Sequence, residues 1–261
     1  MTDPVQLGVS FKMYLGHERS LAWCRIVAPM LRARESVTDG RIRVLVAPSF
    51  VSVPAAAQIL DGLATVGGQD VAAATSGAFT GEVSAGQLAE VGAGLAVIGH
   101  AERRVRHSET DTVVGAKVAA ALEHGLTPLV CIGEPQADSI EVAVRICERQ
   151  IREAVRPARN AGLGGRIIAA YEPIWAIGAD RPAPVDWIRG VAGTLRAEIA
   201  ESTAGFGSQV IYGGSAGPGL LTEVGSAVDG LFLGRFAHDP DAFAAVLDEA
   251  ELLLSRRGAP A

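Results

Sequence analysis

The feature that most constrains the fold is an alternation of short apolar segments with longer segments of helical spacing, repeated about eight times along the chain. Strands that are apolar on both faces and separated by helices predict a parallel sheet covered on its outer side. About eight such units in 261 residues fit a closed (β/α)8 barrel better than an open doubly wound sheet. The predicted strands are Leu7–Phe11, Ile42–Ala47, Ala64–Gly68, Ala96–Ile98, Pro128–Cys131, Ile167–Ala170, Val210–Tyr212 and Gly230–Leu233.

Helix-terminating residues support these units. Asp111 is expected to cap a helix over Thr112–His124, with Gly125 just beyond its C-terminus. The shortest crossover is expected around Ser84–Val91. No flexible linker or change of composition divides the chain, so we expect one domain over residues 1–261, with a frayed tail over Arg256–Ala261.

Composition disfavours several classes of partner. Lys plus Arg total 23 and Asp plus Glu 29, a net charge of −6, so a broad basic surface for nucleic acid or an anionic membrane is not expected. No apolar run approaches the ~20 residues of a membrane span. The N-terminus, Met1–Pro4, has no basic head followed by an apolar stretch, and we expect a cytoplasmic protein.

The three cysteines are scattered, at Cys24, Cys131 and Cys147. None forms a C-x-x-C pair or stands beside a histidine at metal-ligand spacing, so we expect them to be reduced and mostly buried. No metal or organic cofactor is expected.

Charged side chains follow three of the predicted strands. In a (β/α)8 barrel the functional face is the rim at the C-terminal ends of the strands. Lys12 follows the first strand, His100 and Glu102 the fourth, and Glu172 the sixth. Pro173 biases Glu172 towards extended backbone, and an apolar segment closing over that carboxylate would desolvate it and raise its basicity.

Glycine-rich turns follow the last two strands: Gly213-Gly214-Ser215 after the seventh, and Gly234-Arg235 after the eighth. Two adjacent turns of this kind present backbone N–H groups to one point, which suits a phosphate.

A serine hydrolase is an alternative interpretation of the same region. Gly213–Gly217 has the form G-x-S-x-G around Ser215, with Asp229 and His238 following in the right order. This interpretation leaves Lys12, His100 and Glu172 without a role, so we do not favour it.

Five motifs together resemble the signature of the triosephosphate isomerase family, in the family's order and across nearly the whole chain. They are Lys12-Met13, Ile98-Gly99-His100-x-Glu102-Arg103-Arg104, Cys131-Ile132-Gly133-Glu134, Tyr171-Glu172-Pro173-Ile174-Trp175-Ala176-Ile177-Gly178 and Tyr212-Gly213-Gly214-Ser215. The resemblance implies a TIM barrel and an aldose–ketose isomerase of small phosphorylated sugars that works without a cofactor.

The resemblance also implies a role for each catalytic candidate. Glu172 would be the base that takes a proton from the carbon next to the substrate carbonyl. His100 would polarise the carbonyl as a neutral imidazole, and Lys12 would supply positive charge as the enediolate forms. Glu102 would hold Lys12 in place.

Two loops acquire expected roles in the same way. The segment from Pro173 to about Pro182 would be a lid, with the N–H of Gly178 donated to phosphate when the lid is closed. Gly77–Glu82 is similar to the family's interdigitating loop. We expect a homodimer in which Phe79 packs against the partner and Thr80 supports the partner's Lys12.

Three departures from the family pattern lie close to the expected substrate. Ser10 stands where the family usually has Asn, Ala101 where it usually has Ser, and Gly234-Arg235 where it usually has two glycines. The last is similar to a branch that isomerises four-carbon ketose phosphates such as L-erythrulose 1-phosphate. We therefore favour a four-carbon substrate over the glycolytic pair of dihydroxyacetone phosphate and glyceraldehyde 3-phosphate. A non-catalytic sugar-phosphate binder is a remote alternative.

Overall fold

Eight parallel strands close into a barrel in a computed structural model, which describes residues 3–202 and 206–258. The strands pair in sequence order, and β1 closes the sheet against β8 with Gln6 opposite Gly230. They are β1 (Val5–Ser10), β2 (Ile42–Ala47), β3 (Thr65–Gly68), β4 (Leu95–Ile98), β5 (Thr127–Ile132), β6 (Gly165–Tyr171), β7 (Phe206–Tyr212) and β8 (Gly230–Leu233). The predicted (β/α)8 barrel is confirmed.

Helices connect the strands on the outside of the barrel. They are α1 (His17–Arg32), α2 (Glu35–Thr38), α3 (Val53–Ile59), α4 (Ala85–Glu90), α5 (Ala101–Arg106), α6 (Asp111–Glu123), α7 (Ile140–Asn160), α8 (Val185–Ser202), α9 (Leu220–Val224) and α10 (Pro240–Gly258). Short 3-10 turns occur at Phe50–Ser52, Ile174–Ala176, Gly225–Ala227 and Arg235–His238.

Alternate strand residues divide the core into two parts. One set forms a small cluster in the barrel interior, and the other packs in a larger cluster with the helices. Phe232 of β8 belongs to the interior cluster. Its ring occupies the space beside Gly8, where a Cβ would lie 2.6 Å from the Phe232 Cδ2 atom, so β1 needs a glycine at this point.

Helix boundaries depart from prediction by about one residue. Thr110 caps α6, because its Oγ1 accepts the N–H of Val113, so the prediction that Asp111 is the cap is wrong. Asp111 instead accepts a hydrogen bond from Arg104. Gly125 follows the helix with a φ of +74°, as expected of a terminating glycine.

The C-terminal helix extends further than expected. Helix α10 continues through Gly258, and Arg257 donates to the carbonyl oxygen of Val228 at 3.1 Å. Residues 256–258 are therefore helical rather than frayed, and 259–261 lie outside the described residues. Across the described chain, no helix combines the length and apolarity that crossing a membrane requires.

Candidate active site

A cavity of about 630 Å³ opens at the C-terminal ends of the strands, where the predicted site residues meet. Ten of the eleven candidates line it: Ser10, Lys12, His100, Glu102, Glu172, Gly178, Gly213, Ser215, Gly234 and Arg235. Gly214 does not line the cavity. A Cβ at Gly214 would lie 2.5 Å from the Tyr212 hydroxyl oxygen, so this glycine makes room for a tyrosine.

Lys12 is directed into the cavity by an unusual backbone turn with a φ of +44°. Ser10 Oγ accepts the Lys12 N–H at 3.3 Å, and the Gln69 amide donates to the Lys12 carbonyl at 2.9 Å. These bonds stabilise a backbone conformation that a lysine rarely adopts. The Lys12 ammonium donates to Glu102 Oε1 at 2.8 Å.

Glu102 is only partly buried. Its burial would raise the pKa of its carboxyl group, but the hydrogen bond from Lys12 and nearby positive charge outweigh that effect and lower the pKa. Glu102 is therefore an ionised partner that holds the lysine side chain.

His100 caps the N-terminus of α5. Its Nδ1 accepts the backbone N–H of Glu102 at 3.1 Å, an arrangement that requires an unprotonated Nδ1. The proton of the neutral ring is therefore on Nε2, which lies 3.5 Å from Glu172 Oε2. The ring presents an N–H donor to the cavity beside the carboxylate.

Glu172 is 5% exposed, and burial raises the pKa of its carboxyl group despite nearby positive charge. Two glycines make room for it. A Cβ at Gly213 would lie 2.5 Å from Glu172 Oε1, and a Cβ at Gly133 would lie 2.0 Å from the Glu172 carbonyl oxygen. Gly133 was part of a predicted motif but not a predicted site residue, because a close backbone approach has no sequence signal of its own.

The segment after Glu172 is anchored by a buried carboxylate, Glu134, which was part of a predicted motif but not a predicted site residue. Glu134 is fully buried, and its Oε1 accepts from Trp175 Nε1 at 2.9 Å, Trp187 Nε1 at 3.3 Å and the Tyr171 hydroxyl at 3.1 Å. Its position just after β5 was the available signal. Glu134 anchors the first part of the predicted lid.

The middle and end of this segment are tied to the turn after β7. Ser215 Oγ lies 2.9 Å from the carbonyl oxygens of both Ala176 and Ala179, and it can donate to either. The Tyr212 hydroxyl accepts the N–H of Ala183 at 2.9 Å. The hydroxyl of Ser215, predicted to bind phosphate, contacts the lid in this structure.

Arg235 lies at the rim of the cavity, with its guanidinium carbon 6.0 Å from the centre of the Tyr14 ring. This is the outer limit of a cation–π contact. Tyr14 also lines the cavity, and its ring lies 5.8 Å from that of His238. Tyr14 was not predicted, although its place two residues after Lys12 puts it on the same turn.

The residues of the hydrolase alternative lie in separate environments. Asp229 forms an ion pair with Arg196 and accepts the N–H of Val210. His238 Nε2 contacts the Ser10 carbonyl oxygen at 3.0 Å, and the Ser215 hydroxyl faces the lid. The three residues do not form the hydrogen-bonded triad that nucleophilic catalysis requires.

The cysteines are free and buried, as predicted. Burial raises the pKa of Cys24 to about 11, so its thiol is protonated at neutral pH. Within residues 3–202 and 206–258, no three His, Cys, Asp or Glu side chains come together as a metal site would require.

A barrel whose rim sets a buried carboxylate beside a neutral imidazole and an ammonium belongs to the enzymes that use acid–base chemistry on small molecules. The family model described as triosephosphate isomerase matches residues 6–250, and the chain belongs to that family.

Curated relatives match along almost their whole length. The L-erythrulose-1-phosphate isomerase of Pectobacterium atrosepticum is 43% identical over 96% of this chain and 97% of the relative. The protein of that name from Rhizobium etli is 38% identical over 97% and 94%. The triosephosphate isomerase of Mycobacteroides abscessus is 37% identical over 90% and 92%.

Proposed function

We propose that the protein moves a carbonyl group between adjacent carbons of a short sugar phosphate through an enediolate intermediate. The observation that carries this proposal is the pairing of Glu172 with His100 in one cavity, where Glu172 Oε2 lies 3.5 Å from His100 Nε2. Such a pair can remove a proton from carbon while donating one to the neighbouring oxygen.

Each catalytic side chain has a distinct task in this proposal. Glu172 takes the proton from the carbon next to the carbonyl and returns it to the neighbouring carbon, and its raised pKa makes it a stronger base than an exposed glutamate. His100 donates from Nε2 to the carbonyl oxygen and shuttles protons between the two substrate oxygens. Lys12, held by Glu102, stabilises the negative charge of the enediolate.

The glycine-rich turns that line the cavity would hold the phosphate. Gly178, Ser215 and Gly234 all line the cavity, and the first two have φ values of +73° and +52°. Backbone in this conformation can turn successive N–H groups towards an anion. Gly213 belongs to the same turn as Ser215 and lies beside the base, and Gly214 makes room for the Tyr212 hydroxyl.

A four-carbon ketose phosphate of the L-erythrulose 1-phosphate type is the preferred substrate. Two of the similar relatives carry that activity in their names, at 43% and 38% identity. The cavity is also altered in a way that fits a changed substrate, with the small Ser10 beside Lys12 and the large Arg235 at its rim. The triose phosphate pair is the second candidate, supported by the relative from Mycobacteroides abscessus.

The test compares kcat/KM on pure L-erythrulose 1-phosphate and pure dihydroxyacetone phosphate, with solvent deuterium incorporation measured for each. We expect deuterium to enter both compounds and kcat/KM to favour the four-carbon compound. A kcat/KM ratio strongly favouring the triose phosphate would make that compound the preferred substrate. A lack of deuterium incorporation into either compound would contradict the isomerase proposal.

We also propose a homodimer located in the cytoplasm. Phe79 exposes 54% of its surface and Met13 98%, and large apolar side chains that are this exposed favour burial against a partner. Thr80 would then support the partner's Lys12. Light scattering at micromolar concentration should give twice the chain mass, and a monomer mass would contradict the dimer.

A further inference from the structure

A second, much smaller cavity adjoins the candidate active site. About 10 Å³ of it is open to the centre of a water molecule, the room that one water needs. Ala101, Arg104, Cys131 and Glu172 are among the residues that line it. Because Glu172 lines both cavities, the smaller one lies directly beside the proposed base.

The guanidinium of Arg104 is held rigidly here with one nitrogen unused. Its Nε donates to the Gly99 carbonyl at 2.8 Å and its Nη1 to Asp111 Oδ1 at 2.6 Å. Its Nη2 is buried and has no hydrogen-bond partner among the described residues. A buried N–H of a charged group without a hydrogen-bond partner costs free energy, so we expect an acceptor next to this atom.

Glu172 carries the matching acceptor. Its Oε2 is buried and also has no hydrogen-bond partner within the described chain. Ala101 also lines the small cavity, and its methyl side chain can satisfy neither atom. Because Arg104 and Glu172 line the same water-sized cavity, one water bound there can accept from the first side chain and donate to the second.

The positive charge of Arg104 also has the sign that favours the ionised form of the Glu172 carboxyl group. Burial raises the pKa of the Cys131 thiol, and the positive charge of Arg104 is among the effects that oppose this rise. Glu172 is another charged group that acts on this thiol, and its negative charge raises the thiol pKa. The field of Arg104 therefore reaches the strand end where the base lies.

We propose that the small cavity binds one ordered water, which accepts from Arg104 Nη2 and donates to the Glu172 carboxylate, so that Arg104 is a positioning residue for the base. The water and the guanidinium together stabilise the charged carboxylate in an otherwise desolvating site. Its catalytic consequence rests on the proposed function, whereas the water site itself does not.

The direct test is a crystal structure of the unaltered protein at a resolution that shows ordered water. We expect one water within hydrogen-bond distance of both Arg104 Nη2 and a carboxylate oxygen of Glu172. A dry cavity, or a water that reaches only one of the two side chains, would overturn the proposal. This result is independent of whether the protein isomerises any sugar phosphate.

The kinetic test uses Ala101→Val, which fills the cavity with methyl groups and keeps the charge of Arg104. Loss of the water should raise the pKa of Glu172 and move the acid limb of the kcat/KM profile to higher pH by about 0.5 to 1 unit. Arg104→Gln should move it in the same direction. An acid limb that does not move in Ala101→Val would contradict the bridging role.

Asp111→Asn is the matched control, because it weakens the surface side of the Arg104 network without touching the small cavity. Asp111 is not among the residues lining that cavity. We expect a lower Tm for Asp111→Asn with an unshifted acid limb. A shift as large as that of Ala101→Val would mean that Arg104 acts only through general packing.

Discussion

Two charged clusters meet at helix α5, and they satisfy their charges in different ways. The first, which we propose to be catalytic and call the catalytic cluster, consists of Lys12, His100, Glu102 and Glu172. The second, the buried ion cluster, consists of Asp70, Arg103, Glu109 and Lys117. In the buried ion cluster, Lys117 donates to both oxygens of Asp70 at 2.7 and 2.8 Å and to Glu109 at 2.7 Å. Arg103 contacts the same two carboxylates at 2.8 and 2.7 Å.

The catalytic cluster is much less completely paired. Lys12 has one carboxylate partner, Glu102, whose side chain is 48% exposed, and Glu172 Oε2 lies 3.5 Å from His100 Nε2 without a hydrogen bond in the described part of the chain. In the buried ion cluster each carboxylate contacts two cations, although Glu109 Oε2 also lacks a hydrogen-bond partner among the described residues. The comparison indicates that charges holding the fold are paired by the protein, whereas charges used in chemistry keep capacity that a substrate can fill. Replacing a residue of the buried ion cluster should therefore mainly reduce stability, whereas replacing a residue of the catalytic cluster should mainly reduce activity.

The largest effect is expected for Glu172→Gln in the catalytic cluster. Removing the base should lower kcat by about 1,000-fold or more. Its raised pKa means that the folded state disfavours the charged form, so above that pKa a neutral amide should leave stability equal or higher. Steady-state kinetics and thermal unfolding measure the two effects, and wild-type activity or a much lower Tm would contradict them.

The opposite pattern is expected for Lys117→Met in the buried ion cluster. The change leaves two buried carboxylates with one cation, and breaking a buried pair in this way costs about 3–5 kcal/mol. Urea unfolding should show this loss, while the folded fraction keeps its kcat. Arg156→Met, which removes a surface pair with Glu153, is the control and should change stability little.

A smaller effect on activity alone is expected for Glu102→Gln. The amide retains the shape of the side chain but releases the Lys12 ammonium, and misplacing a charged group in a site costs about 10- to 100-fold in kcat/KM. The Tm should stay within the error of the measurement. A drop in Tm with unchanged kinetics would move Glu102 into the class of purely structural charges.

The smallest effect is expected for Arg235→Gly, which tests a rim charge with no ion pair among the described residues. Removing the guanidinium from above Tyr14 should shift the ratio of kcat/KM for the four-carbon and three-carbon substrates about tenfold towards the triose. Arg235→Lys, which keeps the charge, separates charge from shape. An unchanged ratio would show that Arg235 does not select the substrate.

Much of the fold was predictable because its signals are local. Apolar runs and helical spacing identified all eight strands, although β6 and β7 begin earlier, at Gly165 and Phe206. Helix capping was predicted less well. Either Thr110 or Asp111 can cap α6, and the pairing of Asp111 with Arg104 decided between them only in three dimensions.

Part of the site depends on contacts between segments that are distant in the chain. Glu134 and Tyr212 hold the predicted lid through hydrogen bonds to Trp175 and Ala183, which lie far from them in the sequence. Tyr14 contacts Arg235, which lies on the turn after the last strand. Gly133 and Gly213 are needed because Glu172 passes close to them. Such requirements depend on which segments become neighbours.

The sequence by itself determined the order of the units, the strand-end position of each catalytic candidate and the resemblance to one family, because these follow from periodicity and residue identity along the chain. Only the tertiary structure decided that Lys12 pairs with Glu102, 90 positions away, and that Glu172 faces His100 in a desolvated cavity. Distances and burial are properties of the whole packed barrel. The pKa of the base depends on both, so it is determined by the folded protein rather than by any single segment.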